Sequence, residues 1–241
     1  MLTERERIYY GWLHRARFWA SFLPDFMKKL MKRFWNPRIP ETHMNFGESL
    51  IAKDRLKAIM DLMDQILSRE VEGDLIECGV YKGGFTLAAA ERLKLRGSKK
   101  RLHSIDTFEG HPFHSQEDVT ADGTLHHPTG KYQEASYAKL KERIEGKRLT
   151  EMVELHQGTF ERVFPKLGAL RFSFALVDCD LYLSTKQCLD FLIPRMNPGG
   201  ILFFDDYQAW TCPGATQAID ERFRSEELVK WPGWQAYWVK L

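Results

Sequence analysis

The chain is poor in cysteine and lacks any long apolar run. Its 241 residues hold four cysteines, Cys78, Cys179, Cys188 and Cys212, and no two form a CxxC pair. That excludes a zinc ribbon or a thioredoxin-like motif. Most of the four lie in apolar stretches, which predicts unpaired, buried small hydrophobes. No segment reaches the roughly 18 uninterrupted apolar residues of a membrane span. An apolar core with a small-residue cleavage site is also missing near the N-terminus, so no signal peptide is expected and the chain reads as cytoplasmic. Charge of one sign is scarce too: 35 Lys and Arg oppose 33 Asp and Glu, for a net charge of +2. Nucleic acid is therefore not an expected partner. Neither GxGxxG nor a P-loop occurs.

What is present divides into two parts. Residues 1–47 form a basic, aromatic arm and linker. Residues 1–40 carry nine Lys/Arg against three Asp/Glu, interleaved with Trp12, Phe18, Trp19, Phe22, Phe26, Phe34 and Trp35. This predicts one or two short helices. Three uses stay open: packing on its own domain or on a second subunit as a homo-oligomer, lying on an anionic membrane or lipid-linked acceptor, or binding the acceptor itself.

Residues 48–241 read as one α/β domain. Leu50, Ile51, Leu56, Ile59, Met60, Met63, Ile66 and Leu67 recur at helical spacing over residues 48–69. Strands then alternate with helices. Strands are expected at Asp74–Cys78, Arg101–Asp106, Met152–His156, Phe172–Asp178, Gly200–Asp205 and Gln235–Leu241. Helices are expected at Phe85–Leu93, Ala135–Ile144, Phe160–Leu167, Ser184–Arg195 and Pro213–Arg224. Such alternation predicts a doubly wound sheet with helices on both faces and ligands beyond the carboxyl ends of its strands. The polar segment from Glu109 to Lys131, long for a connection, reads as a lid or substrate loop.

The chemistry-bearing residues sit just after strands. Glu77-Cys78-Gly79-Val80-Tyr81-Lys82-Gly83-Gly84 ends the first strand in a turn that lets backbone approach a ligand. Glu77 is placed for a cationic amino group and sulfonium. Asp106, ending the second strand, is placed to accept from a ribose diol. Gly158-Thr159-Phe160 follows the third, where a base could stack. Strands four and five end in Val177-Asp178-Cys179-Asp180 and Phe204-Asp205-Asp206. If neighbours, they gather four carboxylates. Two like charges 4 Å apart repel by about 4 kcal/mol at an effective dielectric near 20. A hard divalent ion with oxygen ligands would offset this; caps or surface ion pairs would be the plainer explanation. If extended geometry continues, Asp178 and Asp180 face the same side.

In order and spacing, IECGVYKGG, SIDTFEGHP, the Gly158-Thr159-Phe160 turn, VDCDLYLST and PGGILFFDDY resemble the macrocin O-methyltransferase family over about residues 70–225. The resemblance implies a Rossmann-like class I methyltransferase fold with a mostly parallel seven-stranded sheet. It implies S-adenosylmethionine as methyl donor, with Glu77, Gly79, Val80, Tyr81, Gly83, Asp106, Thr107, Gly158, Thr159, Phe160 and Asp178 around it. It further implies Mg²⁺ or another divalent cation on Asp178, Asp205 and Asp206, and Asp180 as general base. The acceptor would be a sugar diol on a natural product or glycan. The chain departs from the family at His111, His114, His126 and His127 and in its arm. His111, His114 and His156 are alternative bases, although a lone histidine is more often structural. Catechol or phenol methylation, nicotinamide-dependent oxidoreduction, and non-catalytic binding on the same fold remain as competing readings.

Overall fold

The computed structural model describes residue 51 and residues 53–231 and 234–241. The expected arm at 1–47, with its membrane, acceptor and subunit contacts, lies outside the described residues. From residue 53 the elements run α1 (Lys53–Ser68), β1 (Asp74–Cys78), α2 (Gly84–Leu95), β2 (Leu102–Asp106), α3 (Tyr137–Gly146), β3 (Val153–Gln157), α4 (Phe160–Val163), β4 (Phe172–Val177), α5 (Tyr182–Leu192), β5 (Met196–Phe204), α6 (Pro213–Asp220), β6 (Val229–Trp231) and β7 (Gln235–Val239).

The strands form one seven-stranded sheet in the order β3-β2-β1-β4-β5-β7-β6. The first five run parallel. β7 pairs antiparallel with both β5 and β6. The order reverses between β1 and β4, which is where doubly wound sheets hold ligands.

β4 is buried along its whole length. Its period-2 alternation sends Ala175 and Val177 into a cluster with Cys188, Leu189 and Leu192 of α5. Phe174 points the other way and stacks on Phe85 of α2 at 6.3 Å. Coverage on both faces explains why this strand reads as a continuous apolar run. On α1, the helical spacing is realised: Leu56, Ile59, Met60, Met63 and Ile66 are all buried.

Three expectations shift. The fifth strand begins at Met196 rather than Gly200: the Pro198-Gly199-Gly200 stretch is absorbed by a register shift against β4. The stretch expected as one helix at Phe160–Leu167 is an α-helical turn followed by a 3-10 turn at Phe164–Leu167. β6 had no sequence signal, being three half-exposed or exposed residues at the sheet edge. No helix among the described residues is long and apolar enough to cross a membrane.

Candidate active site

A cavity of about 380 Å³ opens at the carboxyl ends of the strands. Its size falls in the range of small-molecule sites. Register builds its floor. Cys78 pairs with Val177 and Val177 with Phe204, so Asp178 and Asp205 leave adjacent strands at the same level. Backbone bonds continue the sheet through them: Asp178 N–H donates to Cys78 at 2.9 Å, and Asp205 N–H to Val177 at 3.1 Å. Gly79 is obligatory here. It has φ +92°, and a Cβ on it would overlap the carbonyl oxygen of Asp178.

All the residues assigned to the donor pocket line this cavity except Gly83. Gly83 starts α2 with φ +81°, and a side chain there would meet Leu140. It therefore stands at the helix start beside Leu140, behind the residues that line the cavity. Glu77 is 2% exposed. Its Oε2 accepts from Thr86 at 2.5 Å and Ser104 at 2.9 Å. Burial pushes its carboxyl up to about 8, against those two bonds. Asp106 is more committed than expected. Its Oδ2 accepts from the N–H groups of Val80 and Tyr81 at 2.7 and 2.9 Å, and its Oδ1 from Phe108 at 2.7 Å. It therefore fixes the turn after β1 while also lining the cavity. Phe160 ends a row of rings, stacked on Phe164 at 5.1 Å, which stacks on Phe191 at 4.1 Å.

The four aspartates separate into two groups. Donor atoms of Asp178, Asp205 and Asp206 lie within 4.8 Å of one another. Burial pushes the Asp178 and Asp206 carboxyls well above the usual carboxylate range, and their acidic neighbours add to it. Asp205 is also raised by burial, although Arg55 at 3.4 Å and the Gln235 amide pull it back. A trio of oxygen donors, one buried and two half-buried, with Arg55 beside it is suited to a hard divalent ion.

Asp180 is not a member of that trio, although one of its oxygens lies within 4.8 Å of donor atoms of Asp206 and Cys212. β4 ends at Val177, and Asp180 adopts a left-handed φ of +61°, so the expected extended alternation fails. Its carboxylate faces His111 Nε2 and His127 Nδ1, each at 3.3 Å. Cys212 Sγ approaches its Oδ1 at 3.4 Å. Burial raises the Asp180 carboxyl, but the two imidazoles outweigh it and hold the group below the usual carboxylate range. Its own N–H donates to Asp206 at 3.2 Å, which ties the two groups together.

The segment from Glu109 to Lys131 carries these histidines and is packed in place. His111 exchanges backbone bonds with Lys131 and Gly130. Asp118, buried, accepts from the N–H of Tyr182 at the start of α5 at 2.7 Å and from Ser115. Of the alternative bases, only His111 reaches the cavity. His114 meets Thr129, and His156 pairs with His103 on β2. The sequence reading missed Cys212, His127, Gln235 and Arg55 at the site. Cys78, Cys179 and Cys188 are the buried core thiols that their apolar stretches predict, whereas buried Cys212 meets Asp180 and His127. The contacts of all four depend on chain crossings that spacing does not reveal.

Comparison with known proteins supplies the family. The macrocin O-methyltransferase (TylF) family model matches residues 32–239. A tetracenomycin-C rhamnosyl 4'-O-methyltransferase of Streptomyces olivaceus is 26% identical, over 89% of this chain and 81% of that one. Mycinamicin III 3''-O-methyltransferase of Micromonospora griseorubida is 27% identical, over 82% and 80%. Among solved structures, the O-methyltransferase NovP superposes with a TM-score of 0.68 at 26% identity, covering 80% of this chain and 81% of its own. A calicheamicin methyltransferase shares the fold, with a TM-score of 0.67 at 22% identity over 88% and 90%. With the family model matching most of its length, the chain belongs to the macrocin O-methyltransferase family and is an S-adenosylmethionine-dependent O-methyltransferase.

Proposed function

We propose that this enzyme methylates a hydroxyl of a sugar diol on a natural product or glycan, with a divalent cation held by Asp178, Asp205 and Asp206. The observation that carries the reading is the oxygen trio at the cavity floor. At separations below 4.8 Å each ionised pair would repel by about 3–4 kcal/mol at an effective dielectric near 20, and Arg55 offsets only part of it. A divalent cation there supplies Lewis acidity, lowering the pKa of a hydroxyl presented to it. The relatives named above are methyltransferases of a rhamnosyl tetracenomycin and of mycinamicin III, and the rhamnosyl acceptor favours a sugar hydroxyl over a catechol.

The chain's own residues divide the remaining work. Glu77 offers a negative charge to the cationic donor. Asp106 holds the turn after β1, and Phe160 presents a ring face to the base. As the O–CH₃ bond forms and the S–CH₃ bond breaks, the hydroxyl proton leaves. Asp180 is the proposed base for it, with His111 and His127 as onward acceptors 3.3 Å away. The test is a methyl-transfer screen over diol-containing glycosides with Mg²⁺, with and without EDTA. Turnover that survives EDTA removes the metal from the proposal.

A further inference from the structure

Three buried ring nitrogens at the cavity wall lack a hydrogen-bonding partner among the described residues: His111 Nε2, His126 Nε2 and His127 Nδ1; of these, His111 and His127 face the Asp180 carboxylate. His127 is only 6% exposed. The His111 and His127 nitrogens each stand 3.3 Å from an oxygen of Asp180, but without the alignment of a hydrogen bond. Buried polar atoms are rarely left in this state without a ligand. The backbone of Asp180 lies at φ +61°, in the left-handed region that non-glycine residues enter infrequently and aspartate more readily than most, and its carboxylate faces the two rings.

We propose that His111 Nε2, His127 Nδ1 and the Asp180 carboxylate form a second metal site, for Zn²⁺ or a similar transition ion, distinct from the Asp178, Asp205 and Asp206 trio. The three donors lie within 4.8 Å of one another. A zinc–nitrogen or zinc–oxygen bond of about 2.0–2.1 Å places neighbouring tetrahedral ligands about 3.3–3.4 Å apart. His111 Nε2 to Oδ2 and His127 Nδ1 to Oδ1, each 3.3 Å, are close to that edge, with one carboxylate oxygen toward each ring. Donor chemistry separates the sites: imidazole favours zinc and its neighbours in the transition series, whereas carboxylates alone favour Mg²⁺. Three protein ligands leave one position open toward the cavity, which all three residues line. Resting on the reading of Asp180 as base, occupancy here engages the same carboxylate and inhibits methyl transfer.

The test is equilibrium dialysis of the metal-free full-length protein against Zn²⁺ in excess Mg²⁺, with metal analysis. We expect one Zn²⁺ retained per chain. His111→Gln and His127→Gln each weaken it by at least about tenfold. Asp205→Asn leaves Zn²⁺ bound even if it abolishes activity, so failure of the metal-assisted mechanism and failure of this site read differently. The competing addresses are His103, Glu154 and His156 on β2 and β3, and Asp180, Asp206 and Cys212 beside the proposed site; His156→Gln and Cys212→Ser should each leave Zn²⁺ in place. Co²⁺ added to the unaltered protein in excess Mg²⁺ should give the strong visible bands of low-coordinate, nitrogen-ligated cobalt, a readout independent of whether any variant folds. Displacement of Zn²⁺ by Mg²⁺, its loss in Asp205→Asn, His156→Gln or Cys212→Ser, full retention in folded His111→Gln and His127→Gln, or only weak octahedral cobalt bands overturns the proposal.

Discussion

Single side chains at the cavity floor differ in what their removal should do. Asp205→Asn subtracts one charge from the oxygen trio and disturbs its contacts with Arg55 and Gln235. It should weaken Mg²⁺ binding by about tenfold or more, and added Mg²⁺ should restore part of the activity. Asp180→Asn should leave Mg²⁺ affinity nearly intact and lower kcat by about 10²–10⁴-fold. Titration calorimetry alongside turnover separates the two; a loss of Mg²⁺ affinity in Asp180→Asn would contradict the division of roles. Glu77 gives a prediction with a sign. Burial holds its carboxyl up to about 8, while a cationic donor beside it favours the ionised form. Affinity for S-adenosylmethionine should therefore rise with pH through the neutral range and level off above about 8. Glu77→Gln should bind more weakly and lose that dependence. An unchanged pH profile in the variant would place the cationic group elsewhere.

Among the elements, the segment from Glu109 to Lys131 deserves its own experiment because one carboxylate anchors it. Asp118 accepts from the first N–H of α5, where an acidic group satisfies an unpaired donor and favours the helix dipole. Asp118→Ala should cost about 0.5–2 kcal/mol of stability by chemical denaturation, the scale of a lost helix cap. Activity should fall further than stability does, since His111 and His127 are carried on the same segment. Equal losses in both would mean that the segment serves only the fold. The sequence was informative about elements to the extent that periodicity was strong. α1 and β4 were legible because a helical stripe and an unbroken apolar run each have one stable use. β6 was not, because three half-exposed or exposed residues at an edge leave no pattern. The start of β5 was hidden by Pro198-Gly199-Gly200, turn residues that a bulge accommodates inside a strand.

For the molecule as a whole, the concentration of buried acid couples stability to pH and to metal. Asp178, Asp206 and Glu77 all have carboxyls raised by burial in the folded state. Their contribution is complete below the unfolded carboxylate range and is lost as pH climbs; for Glu77 the loss runs from 4.5 to about 8. The metal-free protein should therefore melt at lower temperature near pH 8 than near pH 6 from these groups. Mg²⁺ should raise the melting temperature, and by more at the higher pH, since it binds the ionised form. A Mg²⁺ shift of equal size at both values would argue against the trio as its site. Family and donor pocket were legible because their residues follow strand ends in chain order. The split of the aspartates was not, because the left-handed turn at Asp180 and the histidines that meet it arise only when distant segments pack.

The amide of Gln235 that orients Asp205 belongs to β7, the last of the seven strands in the chain. During synthesis the other strands and all four aspartates emerge before it does. Until β7 inserts beside β5, Asp205 has Arg55 but not this amide, and the edge of β5 away from β4 is unpaired. A nascent or C-terminally clipped chain can thus carry all four aspartates and still lack the contact that orients Asp205.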